Sequence, residues 1–284
     1  MPQFGAHMSI AGGYYKAALE ARRCGCEVVQ LFTKNNNQWR AKEISDEEAE
    51  RFAESLVELK IEQPLSHSSY LINLASPDDA LWNKSIEGMV VELQRAERLG
   101  IRYVVMHPGS HTTSSEEAGL ARVAEGLNRL HAALPQGKSQ VLLEITAGQG
   151  SNLGWKFEHL AEILRQTKGA ERVGICFDTC HAFAAGFDLR DAKIAKSMWR
   201  KFDDLLGLDR LKAFHLNDSK RELGSRVDRH EHIGRGQIGL EGFRHLLNDK
   251  RFRNIPMYLE TPKEELDGEP WDVVNLRTLR GLVG

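Results

Sequence analysis

The sequence predicts an α/β protein built as a (β/α)8 barrel, a single domain over residues 1–284 with its active site at the C-terminal ends of the strands. Eight short aliphatic or β-branched runs alternate with longer stretches of helical period along the chain. No low-complexity segment or linker interrupts this alternation. Eight repeats in 284 residues favour a barrel over an open doubly wound sheet, which normally uses fewer.

The predicted strands are short and are separated by loops and helical segments. The glycines of Ala11-Gly12-Gly13, after the first strand, lack the spacing of a dinucleotide-binding loop, which an open sheet would often carry there. This again favours the barrel. The eight strands are predicted over residues 3–7, 27–33, 64–67, 102–107, 140–145, 173–178, 211–215 and 256–260.

Several of the intervening helices have a recognisable start. Ser45 and Glu48 are spaced as a capping box, and apolar residues then follow at helical spacing. Another helix is predicted to open at Ser76-Pro77, with Gly100 as its C-cap. Further helical patterns follow Ser115 and cover residues 13–24, 157–164, 194–205, 239–248 and 270–281.

Composition limits the cell compartment and the partners. Lys and Arg number 38 against 40 Asp and Glu, a formal net charge of -2, whereas a protein that holds a DNA duplex by bulk electrostatics is normally basic. Any positive charge directed at nucleic acid must therefore lie on one face. No apolar run approaches the ~18 residues of a membrane span, and no secretory signal is apparent. Four cysteines are too few for a disulfide framework, so we expect a cytoplasmic protein.

Side chains of the metal-binding type stand at or near the ends of seven predicted strands. In a barrel these ends meet at one mouth, where side chains from different strands converge. So many imidazoles and carboxylates would repel or be costly to desolvate without bound cations. One such residue alone would be interpreted as a packed histidine or a turn cap. That interpretation would have to hold independently at nearly every strand end, so it does not explain the whole set. The residues are His7, His67, His107, Glu144, Asp178, His215 and Glu260.

Three more residues join this set from the loops after the sixth and seventh strands: His181, Asp228 and His230. Without His7, the set holds nine nitrogen and oxygen ligands, more than one tetrahedral zinc ion accepts, so two or three metals are indicated. The mixture suits Zn2+, with Mn2+ or Fe2+ as alternatives, and disfavours Mg2+. The four cysteines are predicted to be buried small apolar residues and not thiolate ligands.

A cluster of two or three metals at a barrel mouth suits the hydrolysis of phosphate esters. Two other classes remain at this point. A metal-dependent sugar isomerase or epimerase on a similar barrel also places Glu, Asp and His at its strand ends, typically around one or two ions. A DNA-binding barrel with purely structural metals is the third, although structural zinc sites leave no position open for water.

Eight blocks of sequence resemble endonuclease IV, the abasic-site repair nuclease. The most specific are DTCHAFAAG, from residue 178, and SRVDRH, from residue 225. The blocks run in the order of that family and cover most of the chain. They are FTKNNNQWR (32–40), HSSYLINLASP (67–77), MHPGSH (106–111), LEITAGQGSNLG (143–154), GICFDTCHAFAAGFDLR (174–190), HLNDSK (215–220), GSRVDRHEHIGRG (224–236) and YLET (258–261).

The resemblance implies a site with three divalent metal ions, usually zinc, two of which are bridged by Glu144. It also implies that Glu144 and Glu260 are the catalytic residues. The other ligands would divide among the ions as His67 and His107, then Asp178, His215 and Glu260, then His181, Asp228 and His230. The implied reaction is hydrolysis of the phosphodiester 5′ to an abasic site, leaving a 3′-hydroxyl and a 5′-deoxyribose phosphate. Cleaning of blocked 3′ ends would be a second activity. His7 has no ligand role in the family.

The resemblance also implies duplex DNA with abasic sites or blocked 3′ ends as the partner, bound by one chain acting as a monomer. Tyr70 resembles the family residue that wedges into the duplex, and Arg229 belongs to a locally basic loop. Asn35 and Asn37 lie in an Asn-rich turn, flanked by Lys34 and Arg40, that is also expected to contact DNA. The chain departs from the family where some relatives carry an arginine that enters the base stack: here the residue is Asn37.

Overall fold

Eight parallel strands form a closed barrel in the computed structural model, which describes residues 2–284. The strands pair in chain order, and the eighth pairs with the first to close the barrel. The predicted (β/α)8 fold, a TIM barrel, is therefore confirmed. The strands are β1 (Phe4–His7), β2 (Val28–Phe32), β3 (Glu62–His67), β4 (Tyr103–Met106), β5 (Gln140–Glu144), β6 (Val173–Asp178), β7 (Leu211–His215) and β8 (Met257–Leu259).

Nine α-helices are present in residues 2–284: one follows each barrel strand, except that two follow β6. Short 3-10 turns at Ala170–Arg172, Leu208–Arg210 and Lys250–Phe252 precede β6, β7 and β8. The helices are α1 (Tyr14–Arg23), α2 (Asp46–Leu59), α3 (Asp79–Arg98), α4 (Glu116–Ala133), α5 (Phe157–Gln166), α6 (Thr179–Ala185), α7 (Ala192–Leu206), α8 (Gly239–Leu247) and α9 (Trp271–Leu282).

The capping residues explain where the helices begin. The predicted capping box of α2 is present: the Ser45 hydroxyl accepts from the Glu48 backbone N–H, and the Glu48 carboxylate accepts from the Ser45 N–H. The start of α3 differs from the prediction at Ser76-Pro77. Asp78 is the N-cap there, because its carboxylate accepts from the N–H of Leu81 at 2.9 Å.

Helix α6 is the one helix of the described chain that the sequence patterns did not predict. It follows β6 with no intervening loop, and Asp178, the last residue of the strand, caps it by accepting from the His181 N–H at 2.7 Å. Seven residues are too few to show an apolar stripe of helical period. The consequence is that Asp178 and His181 lie on one rigid strand–helix junction.

The core has two parts. A continuous apolar layer fills the space between the strands and the helices, and a smaller cluster fills the inside of the barrel. Gly5 allows β1 to approach β2 closely, because a Cβ at this position would lie 1.9 Å from the Val28 carbonyl oxygen. The interior cluster consists of Val28, Leu65, Val105, Leu142, Cys176, Ala213 and Tyr258, with Tyr103 packed against it.

The long loop between β7 and α8 has its own short antiparallel pair, Asp218–Ser219 with His230–Glu231. The buried carboxylate of Asp218 stabilises this loop by accepting from backbone N–H groups, including those of Gly234, Gly236 and Ile238. A second short pair joins Glu265–Leu266 to Glu269–Pro270 before α9. Among residues 2–284, no helix combines the length and apolar character needed to cross a bilayer.

Candidate metal centre

Six of the nine predicted ligands form one layer at the mouth of the barrel. Successive side chains of a strand point to opposite faces, so residues two apart share a face. Each of the six lies two residues beyond a residue that fills the barrel interior, and therefore faces the barrel axis at the strand end. The pairs are Leu65 and His67, Val105 and His107, Leu142 and Glu144, Cys176 and Asp178, Ala213 and His215, and Tyr258 and Glu260.

The imidazole and carboxylate ligand atoms collect into three groups, each with all its atoms within 4.8 Å of one another, and two further groups include Cys176 or Cys180. Glu144 belongs to the first and second groups, and Asp178 belongs to the second and third. The first two groups have the members that the family resemblance implies, whereas the third contains Asp178 where the resemblance implies Asp228. The groups are His67, His107 and Glu144; Glu144, Asp178, His215 and Glu260; and Asp178, His181 and His230.

Glu144 is fully buried at the centre of the site. Its Oε2 lies 3.2 Å from His67 Nε2 and 3.1 Å from His107 Nε2. Its other oxygen, Oε1, lies 2.7 Å from His215 Nδ1. The two oxygens of one carboxylate therefore face two different groups of imidazoles, which is the geometry that a bridging ligand requires.

Asp228 reaches the third group from the loop after β7. Its Oδ2 lies 3.1 Å from His181 Nε2, and its Oδ1 lies 3.2 Å from His230 Nε2. The backbone N–H of Asp228 donates to the side-chain oxygen of Gln149 at 3.3 Å, which connects the loops that follow β7 and β5. All nine predicted ligands are thus brought to one site, although they come from six strand ends, one helix and one loop.

Three histidines are oriented by backbone carbonyls. The Nδ1 atoms of His67, His181 and His230 lie 2.8, 3.0 and 3.1 Å from the carbonyl oxygens of Ser68, Ile145 and Glu260. Because a carbonyl only accepts, each neutral ring carries its proton on Nδ1 and directs the lone pair of Nε2 into the site.

His230 provides a direct test of whether these residues suit a metal. Its Nε2 is buried and has no hydrogen-bond partner within the described residues, although the Asp228 carboxylate is near. A buried nitrogen without a partner is costly in an apoprotein but is expected where a cation completes its coordination. The donor set of imidazole nitrogens and carboxylate oxygens therefore fits divalent ions such as Zn2+.

The electrostatics of the site couple its acids to its bases. Burial alone would raise the pKa of Glu144, but the imidazoles of His215 and His107 lower it well below its usual value. Burial likewise opposes the charged form of His230, yet the carboxylates of Asp228 and Asp178 raise its pKa to about 9. Buried carboxylates here require positive charge close by, which protons supply in the absence of cations.

The two cysteines near the site behave as apolar residues. Cys176 and Cys180 are fully buried, and burial raises the pKa of each thiol to about 12. Both thiols therefore stay protonated at neutral pH in this arrangement. This supports the prediction that they pack as small side chains, even though Cys176 lies near Glu144 and His215, and Cys180 near Asp228 and His230.

The predicted DNA-contact residues are exposed around the site. The side chain of Tyr70 is 56% exposed, and its ring centroid lies 5.3 Å from that of His67. Asn35 and Asn37 lie on the loop after β2, where the Asn35 side chain accepts from the Asn37 N–H at 2.9 Å. Arg229 is exposed beside Asp228.

Lys34, which flanks the Asn-rich turn, is buried. Its Nζ lies 3.1 Å from Oε1 of Glu92 on α3, and it donates to the Gln38 carbonyl at 2.8 Å. The Lys34 ammonium is therefore engaged inside the protein. The cause is the buried carboxylate of Glu92, whose proximity could not be read from the local sequence.

Sequence reasoning missed Gln30, which is fully buried at the same level of the barrel mouth. It lies two residues beyond the interior residue Val28, just as His7 lies two residues beyond Gly5. The strand was predicted to end at Thr33, so Gln30 did not count as a strand-end residue. The signal that could have found it is the alternation of strand residues counted from Val28.

A cavity of about 210 Å3 opens beside the first group. It is bounded by His67, His107 and Tyr70 and by polar residues that include Ser68, Asn73, Ser110 and Asn152. The largest cavity described, about 640 Å3, lies on the outside of the barrel between α7 and α8, far from the strand ends. Only the smaller cavity is therefore relevant to chemistry at the candidate metal centre.

The fold and the site define the class of protein: a (β/α)8 barrel whose clustered imidazoles and carboxylates can hold metal ions. A family described as "Xylose isomerase-like TIM barrel" matches residues 18–281. A "Probable endonuclease 4" of Chloroflexus aurantiacus is 52% identical over 283 residues, covering 100% of this chain and 99% of the relative. The chain belongs to the endonuclease IV family, and the predicted enzyme class, a hydrolase of the apurinic/apyrimidinic endonuclease type, is confirmed.

Solved structures agree with this assignment. The crystal structure of endonuclease IV from Thermus thermophilus matches with a TM-score of 0.86 and 36% identity, covering 99% of this chain and 98% of that one. A D-tagatose 3-epimerase-like protein matches with a TM-score of 0.74 but only 17% identity, covering 99% of this chain and 96% of that one. The second likeness shows a shared fold and nothing more.

Proposed function

We propose that this chain is a metal-dependent DNA repair endonuclease that hydrolyses the phosphodiester 5′ to an abasic site, leaving a 3′-hydroxyl and a 5′-deoxyribose phosphate. The observation that carries the proposal is the position of Glu144, whose two oxygens face different groups of ligands. Family membership supports the substrate class. Removal of blocking groups from 3′ ends is proposed as a second activity of the same site.

The proposed centre holds three divalent ions, with Zn2+ as the first choice and Mn2+ or Fe2+ as alternatives at individual positions. Glu144 would bridge the first two ions. His67 and His107 would complete the first position. The second position would be completed by Asp178, His215 and Glu260, and the third by His181, Asp228 and His230.

Bound ions of this kind lower the pKa of a coordinated water and neutralise charge on phosphate oxygens and the leaving group. The carboxylates Glu144 and Glu260 are the proposed catalytic residues because they would touch the ions directly. Without cations, their charge would repel a phosphodiester entering the barrel mouth. The chain's own contribution is therefore to hold these acids ionised and oriented.

The small cavity beside His67 and His107 supports selection of a sugar that lacks its base. At about 210 Å3 it is below the roughly 300 Å3 at which pockets for drug-sized ligands begin. An abasic nucleotide has little stacking to lose when it leaves the duplex, so its extrusion is cheap. Tyr70, exposed at the edge of this cavity, would fill the duplex beside the extruded sugar.

The proposed DNA-contact residues are Asn35, Asn37, Tyr70 and Arg229, which lie on loops around the centre. With a formal net charge of -2, the chain offers little general attraction for a duplex, so local contacts must orient the DNA. We further propose that the chain acts as a monomer in the cytoplasm.

The test is incubation of the protein, with its metal content measured, with a duplex that carries one synthetic abasic site. We expect a single nick on the 5′ side of the lesion, and no nick in the matched duplex with a normal nucleotide. A protein that holds its metals and leaves the lesion duplex intact would contradict the proposal. A sugar isomerase would instead bind one or two ions and has no use for the Asp228 and His230 pair, so three ions per chain also separate the two functions.

A further inference from the structure

The layer of side chains at the barrel mouth has eight members, one from each strand, and the proposed centre uses only six. The other two are Gln30 on β2 and His7 on β1. Gln30 is fully buried and lies among ionised groups, so its amide cannot satisfy its hydrogen bonds with solvent. A buried amide needs partners for both its oxygen and its nitrogen.

Every polar atom of the Gln30 side chain has a partner in the site. Its nitrogen lies 2.5 Å from Oε1 of Glu260 and 2.9 Å from Nδ1 of His7. Its oxygen lies 2.7 Å from Nε2 of His215. The carboxylate of Glu260 can only accept, so the amide nitrogen must face it and the amide oxygen must face His215.

This orientation decides which nitrogen of His215 is free. The amide oxygen accepts a hydrogen bond from Nε2–H, so Nδ1 is the nitrogen that can offer its lone pair to a metal ion in place of its own proton. That atom lies 2.7 Å from Glu144 Oε1 and 3.2 Å from Glu260 Oε2, inside the second group. His67, His181 and His230 have backbone carbonyls for this purpose, whereas the available partner of His215 is the side chain of Gln30.

We propose that Gln30 is a positioning residue of the second metal position, where it fixes the tautomer of His215 and the rotamer of Glu260 at the same time. His7 supports it by accepting the second amide N–H, which prevents the amide from turning over. Residues that hydrogen-bond to metal ligands orient those ligands, and the loss of one such residue typically lowers metal affinity by roughly 10–100-fold. The inference rests on the proposed metal centre, but it concerns metal affinity and not DNA.

The experiment compares Gln30→Met with the parent protein by competition against a chromophoric zinc chelator. Methionine keeps the length of the side chain and removes its hydrogen bonds. We expect two zinc ions to bind with parental affinity and one to bind roughly 10–100-fold more weakly. The matched control is Gln140→Met, at the opposite end of the barrel on β5, which should retain three ions of parental affinity.

The outcomes separate this inference from the proposed function. If the parent protein binds three ions and Gln30→Met binds all three within twofold of the parent, the role of Gln30 is wrong while the metal centre stands. If the parent binds no zinc, the proposed function fails first. Should Gln30→Met not fold, His7→Met tests the same chain of contacts from its far end. An affinity loss of about two- to tenfold at one ion is expected there, and parental affinity at all three ions would overturn the inference.

Discussion

At the scale of single residues, the identity of a side chain in this site is fixed by the contacts of each of its polar atoms. Glu144, for example, is in contact with imidazoles through each oxygen and has no exposed surface. A neutral amide of the same size would keep the packing but would offer one oxygen instead of two. The residue is therefore sensitive to a change of a single atom.

Glu144→Gln should abolish cleavage of abasic duplex while leaving the fold intact. The amide cannot bridge two cations, and it donates where the parent residue accepts. A loss of at least about a thousandfold in kcat is expected, because the first two proposed metal positions would lose the ligand that they are proposed to share. A nicking assay measures the rate, and circular dichroism and metal analysis check folding and loading. Turnover within tenfold of the parent would defeat the assigned role.

Tyr70→Ala should weaken recognition of the lesion and spare the metal centre. The ring is more than half exposed, so its removal costs little packing, whereas base–aromatic stacking contributes about 1–3 kcal/mol. We expect an affinity loss of roughly 5–150-fold for abasic duplex and unchanged zinc content. Fluorescence anisotropy with labelled duplex measures the affinity. Equal affinity of the variant and the parent would show that Tyr70 serves only to pack against Phe32 and His67.

At this scale the sequence indicates which ligand-type residues lie close together, but not which hydrogen-bond and ion-pair partners orient the side chains around them. The nine ligand-type residues could be selected because they end strands or belong to specific motifs, and the structure brings them together. Gln30 escaped because it precedes the end of β2, and only strand-end residues were considered. The burial of Lys34 could not be predicted because its partner, Glu92, is 58 residues away in sequence. Such long-range pairings are not visible in a local pattern.

Among the elements, helix α3 connects two loops that carry proposed DNA contacts. The buried carboxylate of Glu92 accepts from the Thr33 hydroxyl at 2.6 Å and from the Ser69 N–H at 3.2 Å, and it pairs with Lys34. The Ser69 hydroxyl in turn donates to the Asn36 carbonyl at 2.5 Å. The loop after β2 and the loop after β3 are thereby held against each other.

Glu92→Gln should destabilise the protein and loosen both loops together. The substitution leaves the buried Lys34 ammonium without its counter-charge, which costs about 3–5 kcal/mol in comparable buried pairs. Urea unfolding followed by circular dichroism measures the change. Glu87→Gln, an exposed position on the same helix, is the control and should lie within about 0.5 kcal/mol of the parent. A loss below about 1 kcal/mol in Glu92→Gln would argue that the pair contributes little.

The strands and most helices were predictable because each carries its own apolar period. Helix α6 was not, since it is short and begins directly at the end of β6. The start of α3 was placed too early because Ser76 and Asp78 are both good capping residues and the local sequence does not distinguish them. Boundaries therefore depend on competition between neighbouring caps.

On the scale of the whole molecule, the candidate centre joins distant parts of the chain, from His67 to Glu260. Ions that bind only the folded state stabilise it, by about 2.7 kcal/mol for each ion present at a hundredfold excess over its Kd. The barrel is closed by β8 pairing with β1, so these ions would also link the first and last thirds of the sequence.

Removal of metal should accordingly lower the Tm of the whole protein. We expect EDTA treatment followed by buffer exchange to reduce the Tm by several degrees and to abolish cleavage, with both restored by Zn2+. Mg2+ should restore neither, because it disfavours imidazole ligands. Scanning calorimetry of the treated and reconstituted samples measures the effect. Identical Tm values with and without metal would count against a centre that spans the barrel.

The proposed ligands lie two residues beyond the interior cluster of the barrel, and this placement has a consequence for folding. A slip of one residue in the pairing of any of the six strands that carry a proposed ligand would turn that ligand outward and bring a neighbour inward. Mispaired chains could not complete the coordination shell, even if they were compact. Zinc binding would then stabilise only those molecules whose ligand-bearing strands had paired in the correct register.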